Sequence, residues 1–226
     1  MKRHKIQTGR KFSVITWLII ITVIISLAAF FIFYSNEKFI DYLALKPINI
    51  WQGKFLWTLI THMFVHGGPA HLLVNMFVLF SLGSLCEKII GKKRFVWFYL
   101  LSGIFAGALS VILSVLYGNS AWGARIFGSP DVFMVGASGA IFAIAGLYVM
   151  LLPRLKFMII FLPFFSLPAY IMVPLALFVM WIISIFANWP IGNVAHFGGF
   201  LAGLLYGVYL RQKYKRKVQK LQRLFI

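Results

Sequence analysis

A serine and a histidine, the side chains from which a hydrolytic nucleophile is commonly built, stand at the starts of two apolar segments far apart in the sequence. Their motifs are Gly136-Ala137-Ser138-Gly139 and Ala195-His196-x2-Gly199-x3-Gly203. A serine hydroxyl becomes a good nucleophile when a neighbouring imidazole accepts its proton. The glycines beside Ser138 leave room for a substrate carbonyl to approach. The spacing predicts Ser138 as nucleophile and His196 as general base, provided that the fold brings them together.

A third motif, His66-x4-His71-x3-Asn75, carries hydrogen-bond donors. His71 and Asn75 are four residues apart and therefore share one face of a helix. Pointed at Ser138, they would form an oxyanion hole together with the Ser138 backbone N–H, since such donors stabilise the charge that develops on the carbonyl oxygen. The same pair would also serve as a polar clamp between two membrane helices.

For each of these residues the sequence is compatible with a purely structural role as well. Gly-Ala-Ser-Gly is also typical of close helix packing in membranes, and a histidine at a helix end can serve only as a structural hydrogen-bonding group. Phe142, four residues after Ser138, would stack on the imidazole or would simply be one of 24 phenylalanines. The glycines at 199 and 203 predict a smooth ridge against another helix, and if that helix carries Ser138, the two side chains come within hydrogen-bond reach.

Neither a catalytic acid nor a metal site is indicated. The four acidic residues all lie outside the predicted spans near His196: Glu37, Asp41, Glu87 and Asp131. This favours a Ser–His dyad. His62, His66 and His71 lack the His-Glu-x-x-His pattern of zinc proteases, so we expect no metal and no cofactor, with His66 shaping the turn at Gly67-Gly68.

Composition places the chain in a membrane. Of 226 residues, 62% are hydrophobic and only 12% are charged, whereas a soluble domain carries about 25% charged residues. The net charge of +18 would suit a nucleic-acid partner, but the basic residues stand between long uncharged stretches, and no segment is polar enough to form a soluble basic face. We therefore expect no nucleic-acid partner.

Six apolar segments of about 20 residues predict six spanning helices. They cover residues 13–34, 69–90, 95–117, 135–152, 165–187 and 194–210, with a break at 188–193 and a Pro-containing stretch at 157–168 before the fifth helix. Segment 13–34 exceeds the apolar length of a secretory signal, which predicts a retained helix. Residues 36–68 form a large outer loop whose aromatic side chains suit a partly membrane-embedded position.

Lysine and arginine are divided unequally between the two sides of this arrangement. Eighteen lie on the side of the termini and four on the other side. By the positive-inside rule both termini are cytoplasmic, which gives a basic N-terminus over 1–12, a membrane domain over 13–210 and a basic tail over 211–226. The second, fourth and sixth helices then begin near the outer face, which brings His71, Asn75, Ser138 and His196 to one depth.

These motifs, in this order, resemble those of the rhomboid intramembrane serine proteases. The similarity runs from about Trp51 to Gly207 and includes the nucleophile and base motifs, His71-Leu72-Leu73-x-Asn75-Met76, Gly83-x3-Glu87 and Gly91-x2-Arg94-Phe95-x3-Tyr99. The chain departs from common family residues at Phe142, where many members have tyrosine, and at Thr58, where an arginine often follows the loop tryptophan.

The resemblance implies a six-helix, simple prokaryotic form that cuts membrane-protein substrates in or near their spanning segment. Ser138 and His196 would be catalytic, Phe142 would lie beside the base, and residues 164–193 would include a lateral gate and a cap over the site. Two alternatives stay open: a catalytically silent relative that binds transmembrane clients, and a small transporter, although no internal repeat of the kind typical of transporters is visible.

Overall fold

Apolar helices dominate the computed structural model, which describes residues 13–159, 162–187, 189 and 191–225. Within those residues the helices are α1 (Val14–Ser35), α2 (Ile40–Leu43), α3 (Pro47–Trp51), α4 (Thr58–Thr61), α5 (Pro69–Ile90), α6 (Lys92–Tyr117), α7 (Ala121–Phe127), α8 (Ser138–Leu151), α9 (Ala169–Ala187), α10 (Asn193–Lys213) and α11 (Lys215–Arg223). Five of them, α1, α5, α6, α9 and α10, are long and apolar enough to cross a membrane, and α8 is a shorter apolar helix. The chain is a helical integral membrane protein.

Four of the predicted spans match the observed helices closely. α5 has the predicted bounds, α1 is displaced by one residue, α6 begins at Lys92 and α10 extends to Lys213. The basic N-terminus predicted over 1–12 lies outside the described residues, as do Asn188 and Pro190 of the predicted break.

The fourth span is shorter than predicted, because residues 135–137 are not helical. Gly136 has a φ of +120°, and its N–H donates to the His62 carbonyl at 2.8 Å. Just before it, Met134 pairs with Leu45 through two backbone hydrogen bonds of 2.7 and 3.0 Å. The resulting helix has 14 residues, ten of them buried. It is about 21 Å long against a hydrocarbon core of about 30 Å, so Ser138 starts a helix inside the bundle.

The fifth span also starts later than predicted, because a hairpin occupies the Pro-containing stretch before it. Strands β1 (Lys156–Ile159) and β2 (Leu162–Pro168) are antiparallel, with Lys156 opposite Pro168. A proline holds the preceding residue in extended backbone and is tolerated at sheet edges, so Pro168 keeps the chain extended up to α9. The hairpin follows the end of α8 farthest from Ser138, so residues 164–168 cannot cap the site.

Backbone contact between α8 and α10 forms the centre of the bundle. A Cβ atom at Gly199 would collide with the Gly139 carbonyl, and one at Gly203 would collide with the Ala143 carbonyl. The predicted glycine ridge is therefore present, and its partner is the helix that carries Ser138. Gly139 in turn packs against Ala106 of α6.

The far end of the bundle is held by a buried carboxylate. Glu87, in the last turn of α5, accepts hydrogen bonds from the Val14 and Ile15 N–H groups at 3.2 and 3.1 Å. These are donors that the first turn of α1 cannot satisfy internally, and a negative charge is favoured at a helix N-terminus. A side chain at Gly83 would collide with Ile15. The Gly83-x3-Glu87 pattern thus joins α1 to α5.

The segment between α1 and α5 packs on α6 and holds the residues that precede α8. Thr58, which stands where an arginine is common, is buried. Its hydroxyl donates to the Phe55 carbonyl at 2.8 Å, and its own carbonyl accepts from His62 Nδ1 at 2.8 Å. A threonine therefore anchors this loop through short local hydrogen bonds.

The basic tail is helical and folds back on the bundle. In α11 the side chain of Val218 is buried, and Gln222 Nε2 donates to the Leu151 carbonyl at 3.1 Å. That carbonyl lies at the C-terminal end of α8, where backbone acceptors lack partners within the helix. The tail thus covers the end of α8 that is opposite to Ser138.

Candidate active site

The close contact of α8 with α10 brings Ser138 and His196 together. Ser138 Oγ lies 2.8 Å from His196 Nε2, within hydrogen-bond distance. His196 is buried and Ser138 is half-buried. The side chains come from the first turns of two helices and are 58 residues apart in sequence. A serine in this arrangement can transfer its proton to the imidazole.

Ring stacking sets the plane of the imidazole. The Phe142 ring lies 4.7 Å from the His196 ring between centroids, with 30° between the planes. Phe142 is one helical turn after Ser138, so one face of α8 carries both side chains that contact His196. In the described part of the chain, no group forms a hydrogen bond with His196 Nδ1. Packing orients this ring, and among the described side chains no carboxylate bonds to it.

A small space bounded by the His71 ring lies beside the Ser138 hydroxyl. A Cβ atom built on Gly136 would lie 3.1 Å from His71 Nε2 and 3.8 Å from Ser138 Oγ. Any side chain at position 136 would therefore occupy the volume between the hydroxyl and the His71 ring. The positive φ of Gly136 also favours glycine. Position 136 thus keeps open the space that a substrate carbonyl oxygen would need.

The tautomer of His71 has its N–H donor on Nε2, the ring nitrogen that faces this space. The Gly67 N–H donates to His71 Nδ1 at 3.4 Å, so Nδ1 is the acceptor and Nε2 carries the proton. The glycine turn before α5 is therefore tied to His71, and a role of His66 in shaping that turn stays a prediction. An Nε2–H directed towards Gly136 is a donor available to an oxyanion.

Asn75 lies one turn further along the same face of α5, and its side chain is buried. Its Nδ2 donates to the His71 carbonyl at 2.9 Å, which leaves the second N–H of the amide for another acceptor. No hydrogen bond among the described residues joins Asn75 or His71 to Ser138. Their proposed role in binding an oxyanion stays a prediction.

His66 connects the start of α8 to α1. Its Nδ1 lies 3.0 Å from the Ser26 hydroxyl, which itself donates to the Phe64 carbonyl at 2.9 Å. The Ser26 oxygen therefore accepts from Nδ1–H, and His66 Nε2 accepts from the Ala137 N–H at 3.5 Å. A single tautomer of His66, with its proton on Nδ1, is compatible with all three hydrogen bonds. Burial is the main cause that lowers the pKa of His66 to about 3, so the ring is neutral.

The sequence did not indicate Ser26 or Ala137 as parts of the site. Ala137 has no functional side chain, and only its backbone N–H is used. Ser26 leaves a weak signal, because it is a polar residue in the middle of an otherwise apolar span. Of the predicted supporting residues, the structure places Gly136, Gly139 and Phe142 on the segment that carries Ser138, Gly199 against Gly139, and His66 against the Ala137 N–H. Gly203 lies further along, against Ala143.

Comparison with known proteins identifies the family to which the sequence is similar. The Rhomboid domain family matches residues 53–213. The chain is similar to "Putative rhomboid protease YdcA" of Bacillus subtilis, with 29% identity over 71% of this chain and 70% of that protein. It is 30% identical to RHOMBOID-like protein 5 of Arabidopsis thaliana over 68% of this chain and 44% of the relative. It is 31% identical to the mitochondrial presenilin-associated rhomboid-like protein of Mus musculus over 65% of this chain and 36% of the relative. The chain thus spans less than half the length of the plant and mouse proteins.

Proposed function

Because this chain belongs to the Rhomboid family, we propose that it is an intramembrane serine endopeptidase that works through a Ser138–His196 dyad. The single observation that carries the proposal is the 2.8 Å contact between Ser138 Oγ and His196 Nε2 at the start of two tightly packed helices. The substrate class is a membrane protein whose peptide bond is exposed in or near its spanning segment.

In the first step His196 accepts the hydroxyl proton while Ser138 Oγ attacks the peptide carbonyl carbon. His196 then donates that proton to the leaving amine, and an acyl-enzyme remains on Ser138. In the second step water attacks the acyl carbonyl carbon while His196 accepts a proton from it. The bond from that carbon to Ser138 Oγ then breaks, His196 returns the proton to Oγ, and the carboxylic acid product leaves. The same histidine acts as base and acid in turn, which requires its Nε2 to face the reacting atoms.

The negative charge on the tetrahedral intermediate would be stabilised beside Gly136. The Ser138 N–H stands in the first turn of α8, where a helix has no internal acceptor for it. His71 Nε2–H borders the same space, and the free N–H of Asn75 would complete the set. Donors fixed in place before the reaction need no reorganisation as charge develops.

A dyad without an acid is consistent with how His196 is held. In a triad a carboxylate fixes the imidazole by accepting from Nδ1–H. Here Phe142 stacks on the ring and α8 packs against α10 at Gly199. Rigid packing thus takes over the orienting role of the carboxylate.

Substrate would enter from the side of the bundle near α9. A smaller share of this helix than of α10 is buried inside the bundle. In the half of α9 nearer the site, Trp181 Nε1–H donates to the Ile126 carbonyl of α7 at 2.9 Å. A spanning segment with weak helical propensity would unwind there, since helical peptide groups are protected by their own hydrogen bonds. The charge asymmetry of the sequence supports a site near the outer face of the membrane, with both termini in the cytoplasm. The resemblance to the simple six-helix form supports the membrane of a prokaryotic cell.

The test is cleavage of a single-span substrate in proteoliposomes by the full chain. Wild type is compared with Ser138→Ala, His196→Ala and the control Ser110→Ala, whose hydroxyl donates only to the Ala106 carbonyl of its own helix. We expect the first two variants to fall below about 10⁻³ of wild-type activity and the control to keep it.

Labelling with a fluorophosphonate probe separates the alternatives. Probe attached at Ser138 and lost in Ser138→Ala supports the proposal. Activity that survives either dyad substitution would end it. A folded wild type that binds substrate without cleavage or labelling would instead identify a silent relative, and ion flux through the liposomes would favour a transporter.

A further inference from the structure

A second candidate site is an apolar groove on the outside of the bundle between α6 and α10. The groove has a volume of about 590 Å³. Its walls include Trp97, Leu101, Phe105, Ala202, Leu205 and Tyr206. Several of these side chains are widely exposed, for example Leu101 and Leu205 at 59% each. Because both helices span the membrane, the groove opens towards lipid.

Two cationic side chains stand at one end of the groove, at Lys93 and Arg94. Arg94 Nη2 donates to the Tyr214 hydroxyl at 3.1 Å, and its guanidinium lies 5.3 Å from the Tyr214 ring centroid. This contact fixes the guanidinium and leaves most of its five N–H donors unused. In the described residues no carboxylate pairs with either cation. The groove therefore ends in a positive charge that the described part of the chain does not neutralise.

The groove has the length of one membrane leaflet. From Arg94 to Phe105 the helix rises about 16 Å, which is close to half of a hydrocarbon core of about 30 Å. The small residues Ser102 and Ala202 are among its lining residues. An acyl chain fits a channel of this kind, with its headgroup at the basic end. The polar end and the apolar length match a single amphiphilic ligand.

We propose that this groove is a binding site for an anionic glycerophospholipid. The phosphate lies at Lys93 and Arg94, and one acyl chain runs along α6 and α10 past Trp97. The partly positive N-terminus of α6, which begins at Lys92, adds to the attraction for an anion. A zwitterionic lipid carries its own cation next to the phosphate, so two unpaired protein cations select against it.

The site is separate from the dyad and does not depend on the proposed function. Tyr206 and His196 lie on the same helix ten residues apart, or about 15 Å along its axis. The groove also differs from a general basic surface, because it combines charge with a channel of defined shape. This difference can be tested with variants that remove the charge and keep the channel, or fill the channel and keep the charge.

The experiment measures lipid retention by native mass spectrometry of the full chain in detergent. Phosphatidylglycerol and phosphatidylcholine with identical acyl chains are added at equal concentration. The double variant Lys93→Gln/Arg94→Gln removes the charge, and Ala202→Trp or Leu205→Trp fills the channel. Lys88→Gln removes an exposed cation from α5, which does not line the groove.

We expect wild type to retain phosphatidylglycerol in preference to phosphatidylcholine. The double variant should weaken that retention about tenfold or more, given roughly fivefold per cation near a membrane surface. The filled variants should lose bound lipid of both kinds, and Lys88→Gln should behave as wild type. Thermal unfolding in lipid-free detergent verifies that each variant is folded.

Three results would overturn the proposal. Equal retention of the two lipids would remove the charge selectivity. A loss in Lys88→Gln as large as in the double variant would mean general surface attraction. Unchanged retention in both folded tryptophan variants would mean that no acyl chain occupies the groove.

Discussion

At the scale of single residues, proton positions distinguish the structural histidines from the one that can react. His62 Nδ1–H donates to the Thr58 carbonyl, His66 is fixed between Ser26 and Ala137, and His71 Nδ1 accepts from Gly67. Within the described residues only His196 has a ring nitrogen bonded to a serine hydroxyl that could be either donor or acceptor. A base needs this freedom, since its proton must move during the reaction.

The first residue-scale prediction concerns the two α5 donors. His71→Ala and Asn75→Ala should each lower kcat by about 10²–10³-fold, because each removes one donor aimed at a developing oxyanion. Thermal stability should change little. Steady-state cleavage and thermal unfolding, measured on the same preparations, give both quantities.

Leu73→Ala is the matched control, because Leu73 is 72% exposed on the same helix and should leave both quantities unchanged. If the pair were only an interhelical clamp, each variant would lose about 0.6 kcal/mol of stability and keep its kcat.

The second residue-scale prediction is a pH dependence of stability that originates at His66. Its pKa is about 3 in the folded protein and 6.5 in the unfolded chain, so the unfolded state binds the proton more tightly. The contribution of neutral His66 to the free energy of unfolding is complete above pH 6.5 and is lost as the pH falls towards about 3. Wild type should therefore unfold at progressively lower temperature between pH 6.5 and 4.

His66→Gln should be less stable than wild type at neutral pH but should show a shallower decline on acidification. His62, whose burial lowers its pKa to about 4, remains in both proteins and contributes to the residual slope. Parallel curves for the two proteins would show that His66 is not the group that titrates.

At the scale of elements, the dyad depends on how closely two helices approach. α8 and α10 meet backbone to backbone at Gly139, Gly199 and Gly203. Interfaces of small residues are typical of tight helix pairs in membranes. Since Ser138 and His196 both lie in first turns beside this contact, the glycine interface determines the distance between them.

Gly199→Ala tests this dependence. The added methyl would collide with the Gly139 carbonyl and push α10 away from α8. We expect a stability loss of about 1–3 kcal/mol and an activity loss of about 10²-fold, because a displacement near 1 Å at a reacting pair has that effect. Activity and thermal unfolding are measured together.

Val208→Ala, a substitution at a partly exposed position of the same helix, should change neither quantity by much. A Gly199→Ala variant with normal activity and normal stability would show that α10 can shift without separating the dyad. In that case the glycine interface would not set the geometry of the site.

The helices and the contact between Ser138 and His196 could be predicted from the sequence. The length of an apolar segment and the spacing of glycines along one helix are both properties that neighbouring residues determine. The late start of α8 could not be predicted, since it depends on Gly136 and Met134 bonding to the distant His62 and Leu45. The hairpin that ends at Pro168 is apolar like its neighbours, so hydropathy does not separate it from a span. The Ser26–His66 bond likewise joins residues 40 positions apart.

At the scale of the whole molecule, the two ends of the bundle differ in chemistry. The dyad lies at the end where α8 and α10 begin. At the other end Glu87 caps α1, α11 covers the last turn of α8, and Lys93 and Arg94 terminate the lipid-facing groove. Ten of the 22 lysines and arginines follow helices that end there, and three more lie in the last turns of those helices. The membrane potential and anionic lipid favour such a basic end on the cytoplasmic side.

The orientation of the chain is the last prediction, and the single cysteine makes it direct to measure. Cys86 is buried, so Cys86→Ala provides a parent without thiols. Lys54→Cys and Lys215→Cys then place one exposed thiol at opposite ends of the bundle. In intact expressing cells a membrane-impermeant maleimide should label Lys54→Cys and leave Lys215→Cys unlabelled, while lysed cells should show both labelled.

The thiol-free parent serves as the blank, and its reaction with a fluorophosphonate would show that it is folded. Labelling of Lys215→Cys alone in intact cells would invert the orientation and move the Ser138 site to the cytoplasmic side. That result would leave the dyad chemistry unchanged, since the hydrogen bond between Ser138 and His196 does not depend on which face of the membrane is outside. It would change the substrate bonds within reach to those at the cytoplasmic end of a spanning segment.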